Sequence, residues 1–169
     1  MRDRRILLVA NRTAAGAHLR DALLTREVEG PCRVTLLVPA VPPRKAWTWD
    51  EMDVKEQARR RMAAAVTELR CCGIDVRGVV GDFSPMESIR DAIERYRYDE
   101  IIISTLPARI SRWLRQDLPT RVAREFQIPV THMVVDAETD DWDRGHVDPQ
   151  PESEGRYPAT EAVGPAGGD

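Results

Sequence analysis

No hydrophobic run in this 169-residue chain is long enough to cross a bilayer. The apolar stretch nearest its start, Ile6 to Ala10, is five residues, too short for a signal-peptide core and far short of the roughly 20 residues of a spanning helix. A soluble, cytoplasmic protein with no membrane partner is expected. Cysteine is scarce as well. Cys32 and the adjacent Cys71 and Cys72 form no C-x-x-C and leave one thiol unpaired, which fits reduced thiols in a cytosol; at a helix end, Cys71 and Cys72 read as one buried and one exposed thiol. No two histidines, cysteines or carboxylates stand at metal-ligand spacing within one element, so no metal is expected. Catalytic signatures are missing too: there is no Walker loop, no nucleophile elbow and no His-x-Gly-His of the adenylyl-transferring folds. Nothing activates a nucleophile or clamps a transferring phosphoryl group, and a non-enzymatic role is expected. Lysine is confined to Lys45 and Lys55; no mechanism follows from arginine taking its place.

The formal charge of −3 conceals an asymmetry. Residues 136–169 carry ten Asp and Glu against Arg144 and Arg156, leaving 23 basic and 18 acidic side chains, a net of +5, in residues 1–135. That gives modest steering of anions but falls short of the clustered Lys/Arg density of a nucleic-acid binder, so nucleic acid is not expected as a partner. The length suits one domain. Residues 1–135 are read as that domain, and 136–169, rich in Pro, Gly and acid and without periodicity, as a disordered acidic tail.

Short apolar runs, Ile6 to Ala10, Val34 to Val38, Ile74 to Val80, Ile101 to Ser104 and Val130 to Val135, alternate with segments of helical period. Runs apolar on both faces imply strands covered on both sides, hence an α/β chain with a parallel sheet between helical layers. The third run is interrupted by Asp75, Arg77 and Gly78 and is expected at or near a sheet edge. Thr13 is placed to cap a first helix carrying Leu19, Ala22 and Leu23 inward. Asp50 caps a second, with Val54, Ala58, Met62, Ala65 and Leu69 on one stripe and Gly73 ending it. Ser84-Pro85-Met86-Glu87 opens a third with a capping serine, proline at the first position and a glutamate three residues on; Met86, Ile89, Ile93 and Tyr96 form its core stripe. Pro119 splits the fourth helical segment, because inside a helix it would cost about 3 kcal/mol. Ile110, Trp113 and Leu114 then pack the first piece, and Val122 and Phe126 anchor the second.

The residues from Ser104 to Pro119, "STLPARISRWLRQDLP", follow the fourth strand, where an α/β chain turns toward its ligand. A phosphate-binding loop would bring bare backbone here and therefore glycine. The loop carries Pro107, Arg109, Arg112, Arg115 and Asp117 instead. Pro107 has no N–H to donate, and Asp117, just before the restarting helix, places its own carboxylate where a phosphate would sit. The three arginines fall within about 120° of arc on the short helix, opposite Ile110 and Leu114, and arginine forks hold phosphate without glycine.

Residues 5–135 resemble the universal stress protein family. "ILLVANRT" is similar to its first strand and turn, usually ending Asp-Gly-Ser; "GDFSPMESIRDAIERYRYDEIIIST" is similar to its third-strand exit, third helix and fourth strand; "TRVAREFQIPVTHMVV" is similar to its closing helix, proline and fifth strand. The resemblance implies an open five-stranded parallel sheet of order 3-2-1-4-5 in a Rossmann-like, adenine-nucleotide alpha hydrolase-like three-layer sandwich. Its switch point falls between strands 1 and 4, with Asn11 to Thr13 facing Ser104 to Asp117. Many members of the family bind ATP there, and matching their pattern puts the adenosine-contacting aspartate on Asn11. The first two loop glycines fall on Ser104 and Pro107, the final Gly-Ser near Gln116-Asp117, and the adenine-contacting backbone on Val38 or Pro39. Every glycine position departs from the pattern. The resemblance also implies dimers, and an unpaired fifth strand would expose an apolar edge.

Two readings of the loop follow. In one it is a self-capped plug over a vacated site, with no cofactor required, in a non-enzymatic regulatory or interaction module of the stress response, dimeric and with room for a protein partner. In the alternative, Arg109, Arg112 and Arg115 bind ATP or another anion, and the chain is a nucleotide sensor. The acidic tail is a third candidate to lie on this arginine face, as a weak, screened contact. Trp47 and Trp49, between strand 2 and the second helix, are expected to pack on the body or mark an interface. His132 alternates with Val130 and Val134 and reads as a hydrogen-bonded core or interface histidine. His18 falls on a helix surface and His146 in the tail.

Overall fold

A computed structural model describes residues 3–42, 50–107 and 111–135. The expected acidic tail, Trp47, Trp49, Arg109 and Ile110 lie outside the described residues, and Arg112 and Arg115 are described by their backbone.

Five strands, β1 (Arg4–Val9), β2 (Cys32–Pro39), β3 (Val76–Gly81), β4 (Glu100–Thr105) and β5 (Val130–Val134), form one parallel sheet in the order β3-β2-β1-β4-β5. The order is the one the resemblance implies, and β3 is at an edge, as its interrupted run suggested. Helices α1 (Ala17–Glu29) and α2 (Glu51–Cys71) cover one face, burying Leu19, Leu23, Val54, Ala58, Ala65 and Leu69 against Ile6, Leu8, Val34 and Leu36. Helices α3 (Pro85–Arg95), α4 (Arg112–Arg115) and α5 (Leu118–Phe126) cover the other. There Met86, Ile89, Trp113, Leu118 and Val122 pack on Leu7, Val9, Leu37, Ile101 and Ile103. Two-sided burial explains why β1, β2 and β4 read as continuous apolar runs. No helix among the described residues is long and apolar enough to cross a membrane.

Local signals fixed most helix ends. Asp50 accepts from Met52 N at 2.7 Å and Ser84 from Glu87 N at 3.4 Å, and the chain restarts as α5 at Leu118 with Pro119 in its first turn. Four expectations need correction. Thr13 does not cap α1, because a turn over residues 12–15 delays the helix and Gly16 takes the cap position. Tyr96 is not core: α3 stops at Arg95, Tyr96 is extended and 45% exposed, and Tyr98 is buried in its place. Cys71 and Cys72 are both exposed, since the helix end turns outward before Gly73, at φ 85°, reverses the chain. His132 is exposed rather than core, because β5 is an edge strand.

Candidate ligand crevice

The strand order reverses between β1 and β4, so the chain leaves their carboxyl ends toward opposite faces, α1 on one and α4 and α5 on the other. The crevice between these exits is where open α/β sheets place ligands.

After β1, Asn11 Nδ2 donates to the Pro39 carbonyl at 3.1 Å, and Arg61 Nη1, from α2, donates to Asn11 Oδ1 at 3.2 Å. The same Pro39 carbonyl accepts from Val41 N at 3.0 Å. Thr13 is buried, and its Oγ1 donates to the Ser104 carbonyl at 3.3 Å. The Ser104 hydroxyl is buried without a hydrogen-bond partner. Thr13 and the Ser104 backbone therefore meet, while Asn11 is tied to the end of β2 and to α2. Val38 is fully buried, backbone and side chain alike.

The loop after β4 is bonded to itself. Ser111 N donates to the Pro107 carbonyl at 2.8 Å, and Leu114 N to Ser111 Oγ at 3.3 Å. Gln116 and Asp117 are exposed between α4 and α5, and neither side chain makes a hydrogen bond among the described residues. The expected carboxylate cap is therefore absent. Asp117 is left-handed, at φ 51° and ψ 40°, and a capping side chain needs an extended residue to reach back over the first turn. Its backbone carbonyl accepts from Arg121 N at 3.1 Å instead.

Arg61 escaped the sequence reading. The signal available was its position three residues after Ala58 and four before Ala65, a charge inside the apolar stripe of α2. Two further features lie at opposite ends of β4. His132 Nε2 lies 2.9 Å from Thr105 Oγ1, and partial burial holds its pKa below the usual histidine value. At the amino end of β4, buried Glu100 takes Arg26 Nε through both oxygens, at 3.1 and 3.0 Å, with Arg4 Nη2 at 2.9 Å and Thr131 Oγ1 at 2.8 Å. No three His, Cys, Asp or Glu among the described residues are grouped to hold a metal ion.

A triphosphate site needs converging N–H donors and free backbone groups for the base. Pro39 and Pro107 have no N–H, and the Pro39 carbonyl already has two donors.

The fold defines a Rossmann-like protein whose strand order reverses between β1 and β4. Among solved structures, it is similar to a universal stress protein in complex with cAMP, at TM-score 0.51 and 11% identity over 77% of this chain and 96% of that one. A universal stress protein family protein from Arabidopsis thaliana with AMP bound matches at TM-score 0.52 and 12% identity, over 80% and 94%. The universal stress protein from Archaeoglobus fulgidus matches at 0.53 and 16%, over 78% and 98%. The chain has the universal stress protein fold. Neither a scan against protein-family models nor a search of curated proteins gives a match.

Proposed function

We propose that the chain is a non-enzymatic regulatory or interaction module of universal stress protein type, with a crevice modified so that it does not take ATP in the usual way. One observation carries this reading: Asn11 stands where the related pattern has an aspartate, and both ends of its amide are spent on the protein itself, on Pro39 and on Arg61. Self-association through β5 belongs to the same reading. Among the described residues, β5 is an unpaired edge with Val134 54% exposed, and such edges are templates for a second chain.

The test is a thermal melt with millimolar ATP and magnesium. Ligand at 100 times its dissociation constant would add about 2.7 kcal/mol; no shift is expected, and a clear shift overturns the reading. A second reading has its own support in the buried, unpartnered Ser104 hydroxyl at the crevice floor and in the AMP and cAMP of the similar structures. There the chain is a sensor of a nucleotide or other anion, gripped by Arg109, Arg112 and Arg115. A melt shift abolished by Arg112→Ala selects that reading, and nucleotide turnover selects an enzyme.

A further inference from the structure

The sheet face beneath α3 is apolar along most of its rows, as both faces of a buried parallel sheet should be. It changes at the amino-terminal ends of β1, β2 and β3, opposite the crevice. There the residues are Arg5, Arg33, Thr35 and Arg77, and with Tyr96 and Tyr98 they line a depression of about 140 Å³. Arg5 and Arg33 are register partners on neighbouring strands, as are Thr35 and Arg77. Strands about 4.8 Å apart set the two guanidinium-bearing residues side by side, an arrangement that is unfavourable unless negative charge lies between them.

The depression is built rather than accidental. Arg77 Nε donates to Thr35 Oγ1 at 3.0 Å, and its guanidinium stacks 3.9 Å from the centre of the Tyr96 ring. It is thus held in one orientation, with no ion-pair partner among the described residues. Arg33 does meet carboxylates, Asp3 at 3.1 Å and Asp75 at 3.3 Å, but both are exposed, and no described carboxylate lines the depression. Tyr98 is 8% exposed, and its buried hydroxyl has no hydrogen-bond partner among the described residues. A buried hydroxyl in that state is normally satisfied by something, and here the missing partner would sit among three arginines. An adjoining depression of about 210 Å³ shares Thr35, Arg77, Tyr96 and Tyr98 and adds apolar side chains such as Leu37 and Val79 together with the charged Asp82, Asp91 and Arg95.

We propose that this depression is an oxyanion site for a phosphate group, free or carried as the monoester of a small molecule, gripped by Arg5, Arg33 and Arg77 with a hydrogen bond from the Tyr98 hydroxyl. Guanidinium forks from several directions suit a tetrahedral dianion better than a planar carboxylate. The adjoining chamber has room for the organic part of an ester. The site is separate from the crevice and does not depend on what the crevice binds.

The experiment is a thermal melt of the full chain against millimolar inorganic phosphate, and in parallel phenyl phosphate, with chloride balancing the ionic strength so that screening is constant. A saturable rise in melting temperature is expected. Arg77→Gln should weaken the apparent affinity by about tenfold or more. Tyr98→Phe should weaken it too, although the unliganded variant should be at least as stable as the parent, having lost an unsatisfied hydroxyl. Arg61→Gln, in the crevice, should leave the response unchanged. Tighter binding of phenyl phosphate identifies a phosphomonoester ligand, and equal affinities identify free phosphate. No saturable rise, or a rise that Tyr98→Phe leaves intact, overturns the proposal. So does a rise abolished by Arg61→Gln, which would place the anion in the crevice. Should Arg77→Gln fail to fold, Tyr98→Phe decides alone.

Discussion

Arg61 of α2 and Asn11 of the turn after β1 meet across the crevice, Nη1 to Oδ1 at 3.2 Å. The amide between Arg61 and the Pro39 carbonyl joins α2, β1 and β2 at the carboxyl edge.

Replacing Asn11 with alanine removes both bonds but leaves the Pro39 carbonyl with its Val41 donor. The expected loss is about 1–2 kcal/mol by urea denaturation. Asn11→Asp, which introduces the aspartate of the similar pattern, should give no melting shift with ATP, because Pro107 still offers no donor.

Glu100 sets an acid limit on stability. Burial works to raise its pKa, but the hydrogen bonds from Arg26 and Thr131 and the charges of Arg26 and Arg4 hold it below the usual glutamate value. A carboxyl whose folded pKa lies below its unfolded one stabilises the protein above the unfolded value, near pH 4.3, and loses that contribution as pH falls through the folded value. Glu100→Gln should cost about 2 kcal/mol at neutral pH, at the low end for a buried pair because the arginine head groups reach water. Its stability should also fall less steeply than the parent's below about pH 4. Chemical denaturation across that range measures both.

Gly81 and Gly78 make a matched pair. A Cβ at Gly81 would stand 2.4 Å from Ser88 Oγ and 2.6 Å from Ser88 Cβ, in the buried first turn of α3, which cannot yield without moving the helix. At Gly78 the nearest atoms belong to the flexible end of Met62, at 1.9 and 2.7 Å. Gly81→Ala should cost about 1–3 kcal/mol and Gly78→Ala less, as judged by melting temperature.

Self-association through β5 predicts that Val134→Lys, at an exposed edge position, shifts the chain to monomer in sedimentation while leaving its far-UV spectrum unchanged. A parent that sediments as a monomer at all concentrations would remove the idea.

Strand positions, the caps at Asp50 and Ser84, the break at Pro119 and the edge placement of β3 were legible because each depends on residues within a turn or two of one another: period, capping chemistry and the missing proline N–H act locally. The failures share a cause. Thr13 has a capping residue's chemistry, but its best acceptor is the Ser104 carbonyl, 91 residues on. Tyr96 fits the α3 stripe, yet the helix ends one residue earlier and Arg77 of β3 claims the ring.

The chain's own order of apolar runs and punctuating residues determined a five-stranded α/β layer and the element carrying each site residue. What those side chains do was decided by the folded sheet. Asn11 meets a carbonyl 28 residues away and an arginine 50 away, and Glu100 meets Arg26 across 74. Hydrogen bonds and charges act over a few ångströms, so a one-dimensional pattern names the groups present, and packing alone selects their partners.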